Sequence, residues 1–229
     1  MKKYDPNITH KEPIFNIEEK TPIYLIAILI GMHALMIFVP SVGNYLINAF
    51  SLAAQKGTVF IPHRTIGNIP TLLTHVLVHA GWQHVLMNSA FIGIFGILAM
   101  RGVRNKNTLI WGRLNRAGIV FLGLFIAGAV AGGLGQWLLW MITKPEFSSA
   151  VGASTGSAAL FAAAGWVIGG RARMYSFGIF LVAMDAFALV TGGMMGNPAW
   201  AGHLGGYLAG VALVPLLLKP NCVSMRFFG

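Results

Sequence analysis

At 229 residues, 56% hydrophobic and only 10% charged, with a mean hydropathy of +0.70, the chain is too apolar for a soluble globular domain, and the bilayer is its expected solvent. The net charge of +10 does not point to nucleic acid, because Lys and Arg sit in short clusters between apolar runs and not along one face of a soluble helix. A single cysteine, Cys222, excludes an intrachain disulfide and a cysteine-based metal site.

Residues 1–20 form a polar tail that holds four of the six acids, Asp5, Glu12, Glu18 and Glu19. The first apolar run follows at 21–40. It is longer than a signal-peptide core and lacks a small-residue cleavage site, so it reads as a retained span. The stretch 41–81 mixes apolar residues (Tyr45, Leu46, Ile47, Phe50, Leu52, Phe60) with polar ones and reads as a connection lying on or partly in the outer interface. Five more apolar runs, at 82–100, 117–142, 151–170, 175–192 and 199–218, can each cross a core that takes roughly 20 helical residues. The expected fold is therefore an all-α membrane bundle of six transmembrane helices, one domain over 21–218, between cytoplasmic tails at 1–20 and 219–229.

The orientation follows from the cations. Alternating the loops between two sides puts thirteen Lys and Arg on one side, in the two tails, 101–116 and 171–173, and only Lys56, Arg64 and Lys144 on the other. By the positive-inside rule both termini are cytoplasmic. The N-in layout and the lack of an organelle transit peptide favour a bacterial cytoplasmic membrane. Glycine pairs spaced by four, Gly128/Gly132, Gly152/Gly156 and Gly206/Gly210, are expected to let helix backbones approach closely.

Polar side chains inside apolar runs are costly and mark functional groups or buried hydrogen bonds. Here they are His84, Asn88, Ser154, Asp185 and His203. Counted from the first cytoplasmic Arg or Lys of each run, His84, Ser154 and His203 all lie about 24 to 26 Å above the inner boundary. Three helices thus converge on one level, in the outer part of a core about 30 Å thick, where water can enter from outside. His84 and Asn88, four apart, share one helix face. His75 and His79 precede this span and fall in the interfacial segment.

A serine hydroxyl needs a base to accept its proton, and histidine is the usual one, so Ser154 and His203 at matching depth suit nucleophilic catalysis. His84, Asn88 and the Ser154 backbone N–H are candidate donors to the oxyanion of an amide hydrolysis. Taken alone, a serine among small residues is ordinarily packing and an intramembrane histidine a structural hydrogen-bonder. Three polar motifs in register reverse that reading. His75, His79 and His84 lack the H-E-x-x-H pattern of a zinc protease, so no metal is expected. Asp185, about 18 Å above the inner boundary, reads as a hydrogen-bonded structural carboxyl or a proton relay.

The segment Gly152-Ala153-Ser154, followed by His203-x-x-Gly206-x-x-x-Gly210 and preceded by His79-Ala80-Gly81-Trp82-x-His84-x-x-x-Asn88, closely resembles the signature of rhomboid intramembrane serine proteases. The resemblance covers roughly 21–218. It implies a rhomboid-like six-span bundle that cleaves the transmembrane segments of other membrane proteins, without a cofactor. Ser154 would be nucleophile and His203 general base, in a dyad and not a triad; His84 and Asn88 would hold the oxyanion, and His79 would support them. The loop 192–198, with Met194 and Met195, would cap the site. One departure stands out, since the residue after the serine is usually glycine in the family and here is Thr155. The alternative is a non-catalytic rhomboid-like protein that binds membrane helices; a proton-coupled transporter is disfavoured because no inverted repeat is visible.

Overall fold

The computed structural model describes residues 20–56, 58, 61, 66–103, 109–111, 114–192 and 198–220. Helix α1 (Thr21–Phe38) opens with Pro22 in its first turn, where a missing N–H removes no intrahelical bond. It stops at Val39, which leaves the helical region at φ −126°, ψ 82° as a residue before proline is biased to do, and Pro40 restarts the chain as α2 (Pro40–Phe50). Helix α2 buries Gly43, Leu46 and Ala49 and exposes Tyr45 and Ile47, the one-sided pattern expected of a segment lying along an interface. Strand β1 (Leu52–Gln55), the one-turn helix α3 (Thr71–Thr74) and a 3-10 turn (His75–Leu77) lead to α4 (Trp82–Arg101).

A small hairpin of β2 (Leu109–Trp111) and β3 (Leu114–Asn115) precedes α5 (Arg116–Thr143). Asn115 caps α5 by accepting the Gly118 N–H at 2.8 Å, satisfying one of the helix's orphan donors. Strand β4 (Phe147–Ala150) then pairs antiparallel with β1, Leu52 opposite Ala150, and feeds directly into α6 (Ser154–Thr191). Helix α7 (Trp200–Leu217) closes the fold.

Five of these helices, α1, α4, α5, α6 and α7, are long and apolar enough to cross a membrane. The difference from the six expected runs lies in α6. Its helical geometry is interrupted at Gly169 and Gly170, the latter at φ 59°, ψ −148°, a conformation essentially closed to residues with a side chain. The runs expected at 151–170 and 175–192 are the two arms on either side of that break. The chain doubles back there, since a Cβ added to Gly165 would lie only 2.8 Å from the Cα of Met174.

The centre of the bundle is the packing of α5, α6 and α7 on one another, with α4 against α6 and α1 against α4. Phe121, Leu124, Leu160, Val167 and Val214 fill it. Backbones touch where α5, α6 and α7 meet: a Cβ on Gly132 would sit 2.6 Å from the Gly202 carbonyl oxygen, and one on Gly128 would sit 2.6 Å from the Ala159 methyl. Gly206 faces the Thr155 carbonyl and Gly210 the Ala159 carbonyl, so this pair does bring α7 onto α6. The Gly152/Gly156 pair does not share a helix face, because Gly152 lies before α6 begins, and Gly156 packs on the Phe125 ring of α5. Outward-facing Phe180, Phe187, Val190 and Leu216 leave an apolar exterior, the surface of an integral membrane protein.

Candidate active site

The site is built where β4 turns into α6. Gly152 makes that turn at φ +112°, and its missing side chain is required twice over. A Cβ there would also fall 2.6 Å from the His84 ring and 3.4 Å from Asn88 Nδ2. The 74–79 segment clamps this turn at three points. The Gly152 N–H donates to the His75 carbonyl at 2.9 Å, the Ala153 N–H donates to His79 Nε2 at 3.3 Å, and His75 Nε2 lies 3.0 Å from Thr155 Oγ1.

The clamp fixes proton positions. His75 Nδ1 lies 2.9 Å from the Thr71 carbonyl, which can only accept, so Nδ1 carries the proton and Nε2 accepts from the Thr155 hydroxyl. Burial pushes the His75 pKa down to about 4 and keeps the ring neutral. His79 is lowered to about 3, first by burial and then by the nearby His84 and His33. Thr155, the departure from the usual glycine, is therefore a buried hydrogen-bond partner of His75.

Ser154 is the first residue of α6, so its N–H has no acceptor within the helix and the positive end of the helix dipole sits beside its hydroxyl. From α7, His203 Nε2 stands 2.9 Å from Ser154 Oγ. On its far side His203 Nδ1 is 2.8 Å from Asp185 Oδ1, on the second arm of α6. Both side chains are partly buried, at 17% and 14% exposure for His203 and Asp185. Across the turn, α4 supplies His84 from its first turn and Asn88 one turn later. Asn88 Nδ2 is buried and has no hydrogen-bond partner, a donor held ready beside the Gly152 turn.

Ser154, His203, His84 and Asn88, matched in depth or helix face from sequence, are thus gathered at one place, and His79 touches the same turn. Met194 and Met195 lie outside the described residues. Two features escaped the sequence reading. The Asp185–His203 contact was not predicted, since Asp185 counts to a shallower level than His203 along an unbroken span. His33 of α1 was passed over; it is buried, its ring edge-on to Trp82 at 4.8 Å between centroids, and its position inside the first apolar run was the available signal. Chemically, the cluster offers a hydroxyl, a base touching it, and amide, imidazole and backbone donors on the opposite side.

The class defined by this fold and cluster is an integral membrane helical bundle with a serine–histidine pair in its interior. The Rhomboid domain matches residues 67–220, which takes in all these groups except His33, and the chain belongs to the rhomboid family. Rhomboids are in the main intramembrane serine proteases. The sequence is also similar to an uncharacterized protein of Mycobacterium bovis and to two of Mycobacterium tuberculosis strains, each 27% identical over 161 residues. Those alignments cover 63% of this chain and 58% of each relative, so the chain spans less than two thirds of their length.

Proposed function

We propose that this chain is an intramembrane serine endopeptidase that hydrolyses peptide bonds in or near the transmembrane segments of other membrane proteins. The observation that carries the reading is the 2.9 Å contact between Ser154 Oγ and His203 Nε2, inside a rhomboid domain. His203 takes the serine proton as Oγ attacks the scissile carbonyl, and then returns it to the leaving amine. The tetrahedral oxyanion forms between the Ser154 N–H and the Asn88 and His84 side chains. Water for deacylation enters from the outer side. A substrate segment must be extended to reach Ser154, because a helix keeps its carbonyls engaged.

The two arms of α6 would each cross the bilayer, giving six spans with both termini in the cytoplasm, in a bacterial cytoplasmic membrane. Thr155 is the one sequence feature that favoured a non-catalytic helix-binding protein, and its hydrogen bond to His75 supplies another reason for its presence. The test is cleavage of a single-span substrate in liposomes. Wild type is expected to cleave, with Ser154→Ala and His203→Ala inactive but folded; equal cleavage by all three would assign the activity to another nucleophile.

A further inference from the structure

We infer that Asp185 is a positioning residue that converts the serine–histidine pair into a serine–histidine–aspartate relay. The inference rests on the protease reading above. Ser154 and Asp185 are 31 positions apart on one helical element, which if straight would separate them by about 46 Å. Instead both meet the same imidazole, Ser154 Oγ at Nε2 and Asp185 Oδ1 at Nδ1, at 2.9 and 2.8 Å. The doubling back at Gly169 and Gly170 is what makes this possible.

The chemistry of the contact is directional. A carboxylate only accepts, so Asp185 selects the tautomer with the proton on Nδ1 and leaves the Nε2 lone pair facing the serine hydroxyl. When His203 takes the serine proton it becomes a cation, and Asp185 is the adjacent negative charge. Asp185 does not touch the reacting atoms; it acts through His203.

The test compares wild type, Asp185→Asn, Asp185→Glu and Ser154→Ala, each as the full chain in liposomes. Two readouts are followed, cleavage of a single-span substrate across pH and the rate of Ser154 labelling by a fluorophosphonate. Asp185→Asn is expected to lower kcat about a hundredfold or more with KM little changed, less than the ~10⁴-fold of soluble triads because this pair is partly exposed. Labelling slows in parallel. Asp185→Glu restores part of the rate. A readout that needs no variant of Asp185 is the ¹⁵N spectrum of histidine-labelled wild type, with the His203 signals assigned by difference from His203→Ala; a proton found on Nε2 at neutral pH would overturn the inference. So would Asp185→Asn with wild-type kcat, labelling rate and pH profile. Wild type that neither cleaves nor labels would overturn the protease reading itself, a result distinct from any confined to Asp185.

Discussion

Neutral His75 is what allows Thr155 to stand where a glycine is usual, because only an unprotonated Nε2 can accept from the threonine hydroxyl. Its folded pKa of about 4 lies below the ordinary value of 6.5, so the unfolded chain takes up the proton first as pH falls. The sign follows. Protonation of His75 leaves stability unchanged above about pH 6.5, and stability drains away between there and about pH 4, by on the order of 3 kcal/mol at the lower end. His79, lowered to about 3, extends the loss to more acid pH. Thermal unfolding in detergent between pH 7.5 and 4 should therefore show a flatter decline in His75→Gln than in wild type; parallel curves would mean that His75 is not buried neutral. At this scale the sequence was informative about which residues mattered and less so about what they touch. Ser154, His203, His84 and Asn88 stood out as polar groups in apolar runs. His75 gave no comparable signal, because its hydrogen bonds go to backbone and to a residue 80 positions away.

The elements show where pattern reading reaches and where it stops. Gly206 and Gly210 are one turn apart in α7, and the contacts to the Thr155 and Ala159 carbonyls are those a small-residue face predicts. Gly152 matched the same spacing but belongs to a turn, because α6 starts two residues later and spacing alone does not mark a helix start. The break at Gly169 and Gly170 was expected as a loop near Arg171, and it proved to be a fold-back tight enough for the two arms to touch at Gly165 and Met174. That tightness places Asp185 beside His203, which no count along either arm foretells. The same glycine contacts set the distance between Ser154 and His203. Gly206→Ala would put a methyl group against the Thr155 carbonyl, directly beside Ser154, and force α7 away from α6. Overpacking of this kind costs about 1–3 kcal/mol, and here it should also lengthen the Ser154–His203 contact. We expect the variant to lose at least tenfold in kcat while still folding, read by cleavage rate beside thermal unfolding. A large stability loss with wild-type kcat in the folded fraction would show that the helix spacing does not govern the chemistry.

Among the described residues most of the cations gather at one end of the bundle. Lys219 donates its N–H to the Gly102 carbonyl, Trp166 donates to the Leu218 carbonyl, and a Cβ on Gly102 would meet Val167, so the ends of α4 and α7 and the α6 fold-back come together. Arg101, Arg171, Arg173 and Lys219 belong to that end. At the other end Lys56 N–H donates to the Pro145 carbonyl where β1 meets β4, close in sequence to Lys144 and a few residues before Ser154. Moving cations across a membrane is unfavourable and the translocation machinery retains them on the cytoplasmic side, so the cation-rich end should face the cytoplasm and the serine should open toward the outside. Cys222 makes this measurable without engineering, since it is the single cysteine and follows Lys219 by three residues. In cells expressing the chain, a membrane-impermeant maleimide should label Cys222 only after permeabilisation. Labelling in intact cells would invert the orientation. The active site would then open toward the cytoplasm, and substrates would be cut near their cytoplasmic ends, in an arrangement that the cation distribution opposes.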